Sequence, residues 1–149
     1  MRQAIALALE NIRNGGGPFA ALVARDGAVI ATGANRVTAT NDPTAHAEIV
    51  AIREACRKLG TFQLGNCEIY TTCEPCPMCL GAIYWARASR VFYAAAAGDA
   101  AAAGFDDAFI YDELYLPHAA REIPMTQLMR EESLTIFNAW KKSETKTEY

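Results

Sequence analysis

Apolar positions in residues 2–13 fall at helical spacing. Ile5, Leu9 and Ile12 share one stripe, and Gly15-Gly16-Gly17-Pro18 ends the run. Two apolar runs follow, 19–24 and 28–31, joined by Arg25-Asp26-Gly27. Asp-Gly between such runs predicts an antiparallel hairpin. Residues 38–42 are polar and read as a loop. The strongest helical pattern spans 44–59, with Ala45, Ile49, Ile52, Cys56 and Leu59 on its apolar stripe, Thr44 as N-cap and Gly60 just past its end.

Residues 68–72 predict a strand, 77–86 a helix opened by Pro77, and 90–95 another strand. The alanine-rich stretch 94–103 fits either a short helix or a tight connection. Beyond it, the pattern predicts a weak helix over 106–115, a strand over 122–129 and a final helix over 131–142. No repeat or linker interrupts the chain, so residues 1–149 read as one domain. Its element order predicts a three-layer α/β/α arrangement around a mixed five-stranded sheet.

Composition narrows the function. With 52% hydrophobic and 21% charged residues the chain is an ordinary globular one. A net charge of −3 disfavours nucleic acid as a partner, since that contact usually needs a basic face. No apolar run is long enough for a membrane span, and the start is too quickly charged for a secretory leader. A cytoplasmic setting is therefore expected. There, five cysteines point to metal binding or catalysis rather than disulfides.

Two stretches concentrate the chemistry. Thr44-Ala45-His46-Ala47-Glu48 opens the strongest helix, and Cys73-Glu74-Pro75-Cys76-Pro77-Met78-Cys79 spans a strand-to-helix turn. Cys76 and Cys79, spaced i, i+3 at a helix start, can converge on one ion, and the helix N-terminus favours their thiolates. With His46 they supply three ligands and leave a fourth position open, as in catalytic zinc sites; adding Cys73 would close the site as a structural one. His46 and Glu48 lie two residues apart, so they meet at one ion only if it sits at the end of the helix rather than on its flank. A carboxylate there could move the proton of an activated water. Other readings stay open: a redox pair or structural zinc for Cys76 and Cys79, a zinc-stabilised binding module without catalysis, and core positions for Cys56 and Cys67.

His46-Ala47-Glu48 with Pro75-Cys76-Pro77-Met78-Cys79 resembles the H-x-E…P-C-x-x-C signature of the cytidine-deaminase superfamily. The likeness continues in Gly16-Gly17-Pro18-Phe19, in Asn41-Asp42-Pro43-Thr44, in Leu80-Gly81-Ala82-Ile83-Tyr84-Trp85-Ala86-Arg87, in Gly104-Phe105-Asp106-Asp107 and in the final Lys-Thr-Glu-Tyr. These segments are similar to the bacterial guanine deaminases within that superfamily. The resemblance implies one zinc per subunit on His46, Cys76 and Cys79, with water or hydroxide as its fourth ligand. Glu48 is then the proton shuttle, and hydroxide attacks C2 of guanine to give xanthine and ammonia, a step of purine catabolism.

The same resemblance implies substrate contacts by Phe19, Asn35, the Ala47 backbone, Trp85, Asp107 and Tyr149. It also implies a homodimer whose C-terminal segment is swapped to cover the partner's site. Taken alone, Phe19 and Trp85 would fit a core, Asn35 a strand end, Asp107 a turn and Tyr149 a frayed tail. Alternative activities are a tRNA adenosine deaminase, or a deaminase of guanosine or another amino-substituted ring.

Overall fold

The computed structural model describes residues 1–105 and 107–148. Its backbone divides into two compact units, Met1–Ala108 and a second beginning at Phe109. The first unit holds α1 (Arg2–Arg13), β1 (Ala20–Arg25), β2 (Ala28–Ala34), α2 (Val37–Thr40), α3 (Ala47–Leu59), β3 (Glu68–Cys73), α4 (Pro77–Trp85), β4 (Arg90–Ala95) and α5 (Ala97–Ala102). Its strands form one sheet in the order β2-β1-β3-β4. β1 pairs antiparallel with β2 and β3, and β3 pairs parallel with β4.

The hairpin turn forms as expected. Asp26 and Gly27 take φ 51° and 77°. Positive φ at both central residues matches the right-handed twist of the flanking strands. β1 is buried along Ala20–Ala24, because helices cover both of its faces. On one face, Ala21, Val23 and Ile69 join Ala47, Ala51 and Ala55 of α3 and Ile83 of α4 in the main core, together with Leu64 and Cys67. α1 packs against β1, β3 and β2. The three layers follow from this packing.

Several expectations need correction. α1 buries Ala4 and Ala8, while Ile5, Leu9 and Ile12 stay exposed. The small face lets the helix approach the sheet closely, and the larger apolar side chains are left outside. α3 begins at Ala47 with His46 as its N-cap, not at Thr44. Thr44 instead donates its N–H and hydroxyl to Asp42 Oδ1, at 2.8 and 2.7 Å. Val37–Thr40 forms a helical turn where a loop is expected.

Among the described residues the sheet has four strands, not five. Residues 122–129, the expected fifth strand, run irregularly in the second unit. Pro124 has no N–H for a ladder. The neighbouring N–H groups are taken locally, Glu122 by Glu113 Oε2 at 2.8 Å and Met125 by the His118 carbonyl at 3.0 Å. This unit contains α6 (Ala108–Tyr115), a 3-10 turn at His118–Ala120 and α7 (Arg130–Lys142). Among the described residues, no helix is long and apolar enough to cross a membrane.

One close approach fixes α3 on the sheet. A Cβ added at Gly33 of β2 would lie 2.2 Å from the Ala47 carbonyl oxygen and 2.5 Å from the Ala51 nitrogen. Both are helix backbone, which cannot rotate away. Gly33→Ala should therefore displace the start of α3 and destabilise the chain by about 1–3 kcal/mol. A denaturant midpoint equal to that of the unaltered chain would contradict this packing.

Candidate metal and catalytic centre

The two chemistry-bearing segments meet as helix starts. His46 is the N-cap of α3 and Cys76 the N-cap of α4, both with extended backbone (ψ 155° and 167°). Cys79 lies in the first turn of α4 after Pro77, which occupies a position where no intrahelical N–H is needed. His46 Nδ1 is 3.6 Å from Cys76 Sγ and 3.5 Å from Cys79 Sγ. One donor atom from each residue lies within 4.8 Å of the other two. An imidazole and two thiols at this separation suit zinc, and three protein donors leave a fourth tetrahedral position open.

Proton sharing agrees with that fit. The Cys76 thiol is held down to about 4, first by its hydrogen bond from the Cys79 thiol and also by His46. The same bond, with burial and the Glu48 carboxylate, pushes Cys79 up. His46 is pushed up, first by its hydrogen bond with Cys76. The trio thus holds protons between sulfur and nitrogen, and a divalent cation would replace them.

Cys73 stands apart from the trio. Its Sγ contacts the Ala96 carbonyl at 3.7 Å, and burial pushes its thiol up. Among the described residues it does not join the metal-binding group. Cys56 packs against the core and Cys67 lies within it.

Glu48 follows two residues after His46 in the first turn of α3 and is only 6% exposed. His46 is a cap outside the helical turn, so the two side chains can face the same point. Glu48 Oε1 accepts a hydrogen bond from Thr71 Oγ1 at 2.8 Å. Its Oε2 accepts one from Cys79 Sγ at 3.4 Å.

A cavity of about 290 Å³ opens on this group, lined by Phe19, Asn35, His46, Glu48, Cys76 and Asp107, among others. Its size is near the lower end for small-molecule sites. Phe19 is braced edge-on by Phe105, with ring centroids 4.9 Å apart. Asn35 accepts the Val37 N–H on its side-chain oxygen at 3.3 Å. Asn11 of α1 donates to the carbonyls of both Gly17 and Asn35, at 2.8 and 3.0 Å, tying together the two segments that carry Phe19 and Asn35. The charge of Asp107 is felt at His46.

Ala47 is fully buried at the start of α3 and does not line the cavity. Trp85 ends α4, is 65% exposed and lies outside the lining. Tyr149 and Asp106 fall outside the described residues.

The cavity is also lined by Val37, Cys73, Glu74, Ala97, Ala100 and Phe105, none of which the sequence assigns to substrate contact. Glu74 Oε2 accepts the Ala97 N–H at 3.1 Å, holding the alanine-rich wall to the turn before α4. The alanines that look featureless in sequence are the part of this wall that leaves room for a ligand. Phe105 carries the one readable signal, as an aromatic within Gly-Phe-Asp-Asp.

Comparison with known proteins bears on this geometry. Residues 1–95 match the family described as the cytidine and deoxycytidylate deaminase zinc-binding region. The chain is 56% identical over 150 residues to guanine deaminase of Bacillus subtilis (strain 168), spanning 100% of this chain and 96% of that protein. An X-ray structure of the Bacillus subtilis guanine deaminase superimposes with a TM-score of 0.97 over 99% of this chain and 95% of that one. A solved guanine deaminase from Nitrosomonas europaea is 39% identical with a TM-score of 0.67, over 70% of this chain and 62% of that one. A tRNA-specific adenosine deaminase of Aquifex aeolicus (strain VF5) is 45% identical over 78 residues, 52% of each chain.

Metal analysis of variants checks the ligand set. Cys76→Ser should lose most bound zinc, whereas Cys73→Ser should keep one zinc per chain. Elemental analysis after gel filtration reads both, and loss of zinc from Cys73→Ser would bring that thiol into the set.

Proposed function

Because the chain belongs to the cytidine and deoxycytidylate deaminase zinc-binding family, we propose that it hydrolyses guanine to xanthine and ammonia. One observation carries the reading. Glu48 and two of the metal-binding trio, His46 and Cys76, line a small cavity together with an aromatic ring, an amide and a further carboxylate, those of Phe19, Asn35 and Asp107. The full-length likeness to a guanine deaminase supports guanine over adenosine in tRNA, because the tRNA deaminase likenesses extend over about half to two thirds of the chain. The net charge of −3 supports the same choice.

The ligand set is His46, Cys76 and Cys79. Zinc bound there supplies a Lewis acid that lowers the pKa of a water molecule toward neutrality. The chain's own residues do the rest. Phe19 stacks on the purine, while Asn35 and Asp107 hold its polar edges, fixing C2 beside the metal ligands. Glu48 takes a proton from water as its oxygen adds to C2 and delivers that proton to the exocyclic nitrogen. The C2–N bond then breaks and ammonia leaves. The N–H groups at the start of α3, Ala47 included, and the positive end of that helix favour negative charge developing nearby.

A homodimer with a swapped C-terminal segment belongs to the same reading. No described residue from Phe109 onward is buried, and Ile123, Leu128, Ile136 and Phe137 are all exposed. Apolar side chains in that number need a cover, and a second copy of the chain supplies one. Tyr149 would then reach the partner's cavity, and the whole of 1–149 would act as one domain completed by exchange. The reaction is assigned to the cytoplasm, where thiol ligands stay reduced.

Two measurements test these statements. Zinc-loaded protein should release ammonia from guanine well above guanosine, adenine, adenosine, cytosine or cytidine, and Glu48→Ala should lose at least about a hundred-fold in kcat with zinc retained. Release only from another ring, or an active Glu48→Ala, would overturn the assignment. For the swap, mixing inactive Glu48→Ala with a truncation lacking 142–149 should restore activity through mixed dimers. A truncation with normal kinetics would exclude the covering role.

A further inference from the structure

We propose that Thr71 is the positioning residue for Glu48, fixing which carboxylate oxygen transfers the proton; this rests on the proton-shuttle reading of Glu48. A buried carboxylate needs hydrogen-bond partners. The structure gives Glu48 two side-chain donors, the Thr71 hydroxyl to Oε1 and the Cys79 thiol to Oε2. They differ in position. The Thr71 hydroxyl is 2.8 Å from Oε1 and belongs to a buried strand residue away from the metal-binding group, whereas the sulfur near Oε2 is one of that group's own three donors. Oε1 is then the anchored oxygen. Oε2, already turned toward the ligand cluster, is the oxygen free to exchange a proton with water and substrate.

The anchor is rigid. Thr71 is 1% exposed in the middle of β3, between Ile69 and Cys73, which are also buried on that face. Its backbone is flanked by Ala21 of β1 and Tyr93 of β4, so strands hold it from both sides. Its β-branched side chain has few rotamers to choose from. The hydroxyl keeps its hydrogen bond to Oε1 while Oε2 gains and loses the proton, which an apolar residue at this position could not do. Thr71 does not line the cavity, so its influence on the reaction runs through Glu48.

The test uses full-length, zinc-loaded Thr71→Val and Thr71→Ser beside Glu48→Ala, with guanine as substrate. Thr71→Val should lower kcat by about ten- to a hundred-fold, the range for losing a hydrogen bond to a charged group. Its KM and zinc content should stay near those of the unaltered protein. Thr71→Ser, which keeps the hydroxyl, should recover most of kcat. Should Thr71→Val fail to fold, Thr71→Ala removes the same hydroxyl with less crowding and carries the same expectation. Unchanged kcat without the hydroxyl, beside a dead Glu48→Ala, would overturn the proposal. So would loss of kcat and zinc together that Thr71→Ser does not rescue. An active Glu48→Ala would instead remove the shuttle reading on which the proposal stands.

Discussion

Two sulfurs and an imidazole nitrogen can face one another within 4.8 Å only if the backbones that carry them are held in place against the pull of solvent. Here the restraint comes from two helix starts. His46 and Cys76 are both N-caps, and Cys79 follows in the first turn of α4. Helix N-termini carry partial positive charge, which favours thiolates and a negatively charged oxygen beside them. The sheet sets the spacing of those helices. Gly33 lets α3 lie on β2 without the obstruction of a Cβ, and β3 runs directly into the turn before α4. The cavity, the carboxylate and the neighbouring thiol take their positions from that arrangement.

The metal trio is legible in the sequence because few other functions need His-x-Glu and Cys-x-x-Cys together at helix starts. Glu48 is legible for the same reason, although its two-residue spacing from His46 makes sense only once His46 is seen to be a cap. Cys73 is different. Its direction depends on whether β3 has ended, and the structure turns its thiol toward the Ala96 carbonyl. Thr71 carries no local sign of its role, since its partner lies 23 residues away and the contact forms only when α3 packs on β3. The alanine wall near Ala97 and Ala100 is silent because its contribution is the space it leaves.

In the fold, the hairpin, α3, β3, α4 and β4 follow from Asp-Gly turn chemistry, helical periodicity and β-rich runs. The apolar face of α1 does not. Large side chains dominate the periodic pattern, yet the helix buries Ala4 and Ala8 because close approach to the sheet outweighs the size of Ile5 and Leu9. The run at 122–129 has the composition of a strand, but Pro124 interrupts it and the nearby N–H groups find local partners. Exposure along the second unit has the same lesson: apolar patterning there reports a need for cover without saying which chain provides it.

X-ray absorption at the zinc edge of the purified protein tests the centre most directly. Two sulfur scatterers at about 2.3 Å are expected, with one imidazole nitrogen and one further light scatterer at about 2.0–2.1 Å. That set corresponds to Cys76, Cys79, His46 and an open position. Three sulfurs would place Cys73 in the site and close it, contradicting a hydrolytic centre built on three protein ligands.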